Sequence, residues 1–196
     1  MSGTVGIVLA AGAGTRYGMP KALVVGSDGI PWIVRAVETL RAGGCARVVV
    51  ALGAERAAAG RLVPAGDGRV EIVEVADWAE GLSASVRAAL GALESSAVPG
   101  ALTGASAAVL VPVDTPGLPA AAVARLAAGA DVETLRRAVY DGVPGHPVVI
   151  GRSHWSALSA ELAGDQGAGP YLAAHGAERT ECGDLWDGAD VDAPPA

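Results

Sequence analysis

The segment between Val5 and Lys21, VGIVLAAGAGTRYGMPK, constrains this chain more than any other. A short apolar strand runs directly into a glycine-rich loop that contains Arg16 and ends at Lys21. Glycines allow close backbone approach and positive φ, and successive backbone N–H groups in such a loop form a concave anion site. Packing does not explain why the loop carries the two cationic side chains of Arg16 and Lys21. The segment therefore predicts binding of a nucleotide triphosphate.

Two better-known phosphate-binding loops do not fit this spacing. A P-loop has Lys directly after its last glycine and then Ser or Thr, whereas Met19 and Pro20 precede Lys21 here and Ala22 follows it. In the dinucleotide fingerprint Gly-x-Gly-x-x-Gly, the third glycine would come one residue earlier than it does. Arg16 also stands where that motif needs close helix packing. Spacing excludes both loops.

Strand and helix patterns alternate over the first two thirds of the chain. We expect strands at 5–9, 48–52, 70–75 and 107–113, and helices at 31–42, 55–62, 85–93 and 120–128. This rhythm predicts an α/β fold with a doubly wound, mostly parallel sheet. In such sheets ligands bind beyond the carboxyl ends of the strands, and the glycine loop and Asp114 both follow strands there.

The last third has a different pattern. Short strands at 138–140 and 147–150 around a turn at 141–146 predict a small antiparallel addition at the sheet edge, followed by helices at 154–163 and 170–175. An acidic tail begins at about residue 184. The length of 196 residues suits one core, so we expect a single domain over 1–196.

Charge and composition narrow the possible partners and location. The net charge of −7 argues against a nucleic-acid partner, because a nucleic-acid surface normally has a basic patch. Cys45 and Cys182 lack metal-ligand spacing and are expected to be reduced thiols. The N-terminal apolar run is too short for a membrane span and has no basic region before it. We therefore expect no membrane association and a cytoplasmic location.

Asp114 is the first candidate metal ligand. It follows the apolar strand VLVPV and precedes TPGLP. A lone carboxylate at a strand end is often a helix cap. Beside a phosphate-binding loop it also suits Mg²⁺, which prefers one or two carboxylates together with phosphate oxygens and water.

The loop sequence LAAGAGTRYGMPK resembles the nucleotidyltransferase signature Leu-Ala-Ala-Gly-x-Gly-x-Arg-x-Gly-x-x-Lys. The chain is similar to the MobA-like NTP transferase family, and most of all to its molybdenum cofactor cytidylyltransferase branch. The resemblance covers nearly the whole chain, in the right order. It implies a Rossmann-like nucleotidyltransferase fold, with Arg16 and Lys21 as catalytic residues.

The resemblance also implies roles for other residues. The nucleotide-binding residues would be Leu9, Ala10, Ala11, Gly12, Gly14, Arg16, Lys21 and Ser83. Ser85 and His146 would contact the acceptor. As alternatives, either serine could simply cap a helix and the histidine could be structural. The family motif Arg-Gly-His-Pro has Pro144 in place of its arginine here.

The implied metal site has two carboxylates. The family's Asp-x-Pro segment matches Asp114, whose counterpart holds Mg²⁺. The tail Asp190-Val-Asp192 resembles the family's Asp-Ile-Asp-Thr-Pro segment, which assigns the other metal contact to Asp192. Ala193 replaces the threonine. A solvated acidic tail without a metal role is the alternative.

The implied reaction moves CMP from CTP to the phosphate of molybdopterin and releases pyrophosphate, with a molybdenum hydroxylase as a possible recipient of the product. Two alternatives stay open. One is a guanylyl or other NTP transferase with another phosphate acceptor. The other is a non-catalytic carrier of the molybdenum cofactor.

Overall fold

A computed structural model describes residues 3–64, 66–95 and 104–193. Its strands are β1 Thr4–Leu9, β2 Arg47–Leu52, β3 Val70–Glu74, β4 Ala107–Pro112, β5 Leu135–Tyr140, β6 Val143–Gly151 and β7 Glu178–Glu181. Its α-helices are α1 Trp32–Ala42, α2 Arg56–Gly60, α3 Leu82–Glu94, α4 Ala120–Ala127, α5 Trp155–Glu161 and α6 Gly169–Ala174. Short 3₁₀ turns cover Lys21–Leu23, Trp78–Glu80 and Arg152–His154.

These strands form a seven-stranded sheet in the order β3-β2-β1-β4-β6-β5-β7. The first four strands in this order, β3, β2, β1 and β4, are parallel to one another, and β1 lies between β2 and β4. Helical crossovers join the parallel strands, as parallel pairing requires. The mostly parallel α/β fold predicted from the sequence is confirmed.

The antiparallel part is present, but its position differs from the prediction. Strand β6 pairs antiparallel with both β4 and β5, so it lies inside the sheet. The edge strand is β7, parallel to β5, which the sequence reading missed. The turn is also shorter than 141–146: Asp141 and Gly142 have φ of 49° and 78°, as a two-residue hairpin turn requires. His146 therefore belongs to β6.

Two apolar layers cover the two faces of the sheet. Alternate strand residues point to opposite faces, so Val8 packs in the layer that contains α1 and α4, and Ile7 in the layer that contains α3, α5 and α6. These layers fix the strand ends from which the loops emerge. No helix in the described ranges is long and apolar enough to cross a membrane.

Candidate active site

The glycine loop emerges from the carboxyl end of β1 and is fixed at its start. The backbone N–H of Ala10 donates to the carbonyl of Ala51 at 3.1 Å, and that of Ala54 donates to the carbonyl of Ala11 at 2.9 Å. Both loop alanines are buried. These bonds extend the pairing with β2 beyond the sheet, so the start of the loop is a rigid extension of β1.

Gly14 and Gly12 have different roles in this loop. Gly14 has φ of 62°, and a Cβ there would lie 1.9 Å from the carbonyl oxygen of Met19, so only glycine fits. The N–H of Gly18 closes the same turn on the carbonyl of Gly14 at 2.8 Å. A Cβ on Gly12 would meet nothing within 4 Å. The loop backbone is therefore open at Gly12, where a ligand could approach.

Lys21 lies where three distant segments meet. Its Nζ donates to Oδ2 of Asp114 at 2.8 Å and to Oδ1 of Asp192 at 3.1 Å. Its side chain is only 15% exposed, and it is the only lysine in the sequence. The glycine loop, the end of β4 and the C-terminal segment thus bring one cation and two carboxylates together.

The charges in this cluster stabilise one another. Burial opposes the charged form of Lys21, but its hydrogen bonds to Asp114 and Asp192 outweigh burial and raise its pKa. The hydrogen bond from Lys21 lowers the pKa of Asp192, and the charge of Arg16 acts in the same direction. Arg16 itself is exposed. The site therefore combines an enclosed ammonium group with a solvent-facing guanidinium group.

The C-terminal segment is anchored over the site up to its described end at residue 193. The N–H of Val191 donates to the carbonyl of Asp114 at 2.9 Å. The Trp186 ring packs against Gly117, where a Cβ would lie 2.7 Å from the indole Nε1, and meets Tyr140 edge-on at 5.3 Å. Asp192 therefore reaches Lys21 from a packed segment.

Asp114 and Asp192 are suitable ligands for a divalent cation. Their oxygens face one region beside the ammonium of Lys21, so a divalent cation bound in that region would gain two hard oxygen ligands. Within 3–64, 66–95 and 104–193, no group of three or more His, Cys, Asp or Glu could hold a metal. Two carboxylates suit Mg²⁺ or Mn²⁺ when phosphate oxygens and water supply the remaining ligands. The residues fit a metal that binds with a triphosphate.

Ser83 and Ser85 do not cap α3. The N-cap is Gly81, with φ of 109° and no side-chain hydrogen bond, so both serines lie inside the helix. Both are buried. The Oγ of Ser83 has no partner in the described structure, and such an atom needs an explanation.

Charges of opposite sign on neighbouring segments act on the imidazole of His146. Burial and the charge of Arg137 lower its pKa to about 4, whereas the charges of Asp114 and Asp190 act the other way. Its imidazole is therefore neutral at pH 7. Its carbonyl accepts a hydrogen bond from the hydroxyl of Tyr140 at 2.5 Å.

Sequence reasoning missed Arg137, which stands on β5 and donates to the carbonyl of Gly145, the residue before His146. The sequence LRRAVY contained a signal for a functional charge. Strand positions are normally apolar when both faces of the sheet are covered, so an arginine there needs an explanation.

The chain is similar to known proteins in sequence and in fold. The model of a family described as MobA-like NTP transferase domain matches residues 6–180. The nicotine blue oxidoreductase of Paenarthrobacter nicotinovorans is 32% identical over 95% of this chain and 91% of its own length. The crystal structure of Rv0371c from Mycobacterium tuberculosis H37Rv has a TM-score of 0.74 and 27% identity, over 98% of this chain and 94% of that one. Rv0371C has also been solved in complex with manganese (TM-score 0.67, 26% identity, 92% and 89% covered).

Proposed function

Because the chain belongs to the MobA-like NTP transferase family and is a nucleotidyltransferase, we propose that it transfers CMP from CTP to the phosphate of molybdopterin and releases pyrophosphate. The observation that most supports this is the meeting of Lys21, Asp114 and Asp192 beside the glycine loop. We further propose that the enzyme is cytoplasmic and that its product passes to a molybdenum hydroxylase.

The proposed reaction needs no nucleophile from the protein. The acceptor phosphate attacks the α-phosphorus of the nucleotide, and the bond to the leaving pyrophosphate breaks. Catalysis then consists of positioning and charge neutralisation. The glycine loop would hold the β- and γ-phosphates, Arg16 would stabilise the charge on pyrophosphate, and Lys21 would bridge the α-phosphate and the incoming phosphate.

A divalent metal would be held by Asp114 and Asp192, and we propose Mg²⁺ as that ion. A bound Mg²⁺ would polarise the α-phosphate and help to neutralise the transition-state charge. The manganese complex of the relative Rv0371C supports a divalent cation in this group of proteins.

The nucleotide base would be read by backbone groups near Leu9, Ala10, Ala11 and Gly12. We propose that Ser83, whose Oγ lacks a partner, takes part in nucleotide binding. Ser85 and the neutral His146 would face the acceptor.

Competition binding should show CTP bound more tightly than GTP, because the buried methyl group of Ala11 leaves less room than glycine for a purine. Ala11→Gly should reduce the preference for CTP over GTP, measured as the ratio of the dissociation constants for GTP and CTP in Mg²⁺ buffer. If the wild-type protein binds GTP more tightly, the guanylyl alternative replaces the cytidylyl assignment.

Arg16→Lys should lower kcat/KM by roughly tenfold or more, equivalent to about 1.4 kcal/mol of transition-state stabilisation. Arginine binds two phosphate oxygens through a planar fork, whereas lysine is a point charge. The melting temperature should stay unchanged because Arg16 is exposed. The control is Arg61→Lys, at another exposed arginine. Equal kinetics for the two variants would remove Arg16 from the mechanism.

Pyrophosphate release from CTP, Mg²⁺ and molybdopterin tests the reaction directly. Release with another nucleotide or acceptor would support the broader transferase alternative. Tight binding of the cofactor without pyrophosphate release would support the carrier alternative.

The name of the Paenarthrobacter relative, nicotine blue oxidoreductase, motivates a second candidate function, the reduction of a small aromatic substrate. Oxidation of a reduced nicotinamide cofactor in the presence of nicotine blue, with no pyrophosphate from CTP, would establish this candidate instead.

A further inference from the structure

Arg137 on β5 is a partly buried cation that has no counter-ion among the residues that the structure describes. Within the described ranges its only hydrogen bond runs from Nε to the carbonyl of Gly145 at 3.4 Å, and it forms no salt bridge. A Cβ on Gly169 would lie 3.3 Å from its Nη1, so the guanidinium also lies against the start of α6. A charge removed from water without a partner is costly.

A second arginine lies directly opposite on the neighbouring strand. In the parallel pairing of β5 with β7, Arg137 is the register partner of Arg179. Arg179 donates to the carbonyl of Gly142, in the turn of the same β5–β6 hairpin. Like charges at opposed positions destabilise a sheet.

The adjacent register pair joins two opposite charges. Arg136 stands opposite Glu178, and the two form a salt bridge at 2.9 Å. The two pairs occupy consecutive positions of the same strands, yet only one has opposite charges. The Arg137–Arg179 pair therefore lacks an anion that its neighbour has.

The position of this pair connects it to the candidate active site. Strand β6 pairs antiparallel with β4, with Val148 opposite Leu110, so the start of β6, which contains His146, lies beside the end of β4 that leads to Asp114. Arg137 contacts Gly145, the residue before His146. Strand β5 thus places a cation beside this histidine.

We propose that Arg137 and Arg179 bind an oxyanion carried by the acceptor substrate, next to His146. The inference rests on the proposed function. Because the attacking phosphate must reach Lys21, the oxyanion at Arg137 is a second anionic group of the acceptor. In molybdopterin carrying molybdenum, the metal with its oxo ligands is such a group. Arginine suits it, since its guanidinium donates two parallel hydrogen bonds to an oxyanion.

The first test measures oxyanion binding without nucleotide or acceptor. Sodium molybdate and inorganic phosphate are titrated separately into wild-type protein, Arg137→Met and Arg136→Met, and the melting temperature is followed, since a ligand of the native state raises it. Arg137→Met should weaken oxyanion binding roughly tenfold or more, whereas Arg136→Met should not. The oxyanion bound more tightly identifies the group that the site takes. Identical responses of all three proteins would overturn the proposal.

A second measurement separates binding from a structural role. In anion-free buffer Arg137→Met should melt at a higher temperature than wild type, because methionine keeps an apolar side chain and removes an uncompensated charge. Arg136→Met should melt lower, because Arg136 donates to the carbonyls of Leu126 and Ala128 at the end of α4 as well as pairing with Glu178. If Arg137→Met melts lower and keeps the wild-type oxyanion response, the arginine only supports the hairpin and the proposal is wrong.

A kinetic measurement distinguishes failure of this inference from failure of the proposed function. Arg137→Met should raise KM for molybdopterin roughly tenfold or more and leave the dissociation constant for CTP unchanged. If wild-type protein transfers CMP normally and the variant keeps its KM, the inference fails alone. If wild-type protein transfers nothing, the proposed function fails and the oxyanion titration still decides the inference.

Discussion

Lys21→Ala should lower the rate of nucleotidyl transfer by roughly 10²–10³-fold, the usual effect of removing one preorganised group that stabilises transition-state charge. Its ammonium is enclosed and held at 2.8 Å from Asp114, so little reorganisation is needed when phosphates arrive. The fold should persist with a lower melting temperature, because the side chain of Lys21 ends in a polar cluster and its loss leaves Asp114 and Asp192 without their ion-pair partner. Steady-state rates of pyrophosphate release and a melting curve measure the two effects.

The same variant should bind metal more tightly in the absence of nucleotide. Removing the ammonium leaves Asp114 and Asp192 facing one another without a cation, and two unpaired carboxylates attract Mn²⁺. The amount of free Mn²⁺ in an electron paramagnetic resonance titration measures the change. Arg16→Ala is the control, because it removes a nearby charge that has no hydrogen bond to either carboxylate.

Normal turnover by Lys21→Ala would mean that the salt bridges are only structural. Lost turnover with unchanged Mn²⁺ affinity would mean that Asp114 and Asp192 are not metal ligands.

The parts of the site that follow from the sequence are those fixed by local pattern. The apolar strands predicted a parallel sheet, and the carboxyl ends of parallel strands share one edge. That rule places Asp114 near the glycine loop before any coordinates are known, and the 2.8 Å contact with Lys21 agrees with it. The expected catalytic and metal-binding roles stay predictions.

The features that sequence reasoning missed depend on contacts between distant segments. Strand β7 has the polar sequence ERTE and forms only by pairing with β5. The residue before α3 is Gly81 and not one of the serines. Only glycine fits there, because a Cβ would lie 2.4 Å from Oδ1 of Asp165 in a crossing loop. The path of Asp192 to the site depends on Trp186 packing against Gly117. No local pattern contains this information.

Asp114→Asn should abolish Mg²⁺-dependent transfer, because a neutral amide is a weak ligand for a hard cation. Asp192→Asn should be nearly as severe, since its carboxylate lies 3.1 Å from the same ammonium. Its segment is also fixed by the bond between Val191 and Asp114. Each variant is compared with wild type by initial rate over a range of Mg²⁺ concentrations. A shift of the half-saturating concentration separates weaker metal binding from lost chemistry.

Asp190→Asn is the matched control for Asp192→Asn. It removes the same charge two residues away, from an exposed side chain that makes no salt bridge in the described structure, and it should retain substantial activity.

If Asp192→Asn is silent while Asp114→Asn is inactive, the enzyme uses one protein carboxylate and the Asp-Val-Asp match is coincidental. If both variants transfer normally, neither carboxylate is needed. If neither they nor the wild-type protein release pyrophosphate, yet all bind CTP, the carrier alternative replaces the transferase mechanism. The wild-type reaction is therefore measured beside every variant, because only a working parent enzyme makes the loss in Asp114→Asn a statement about metal binding.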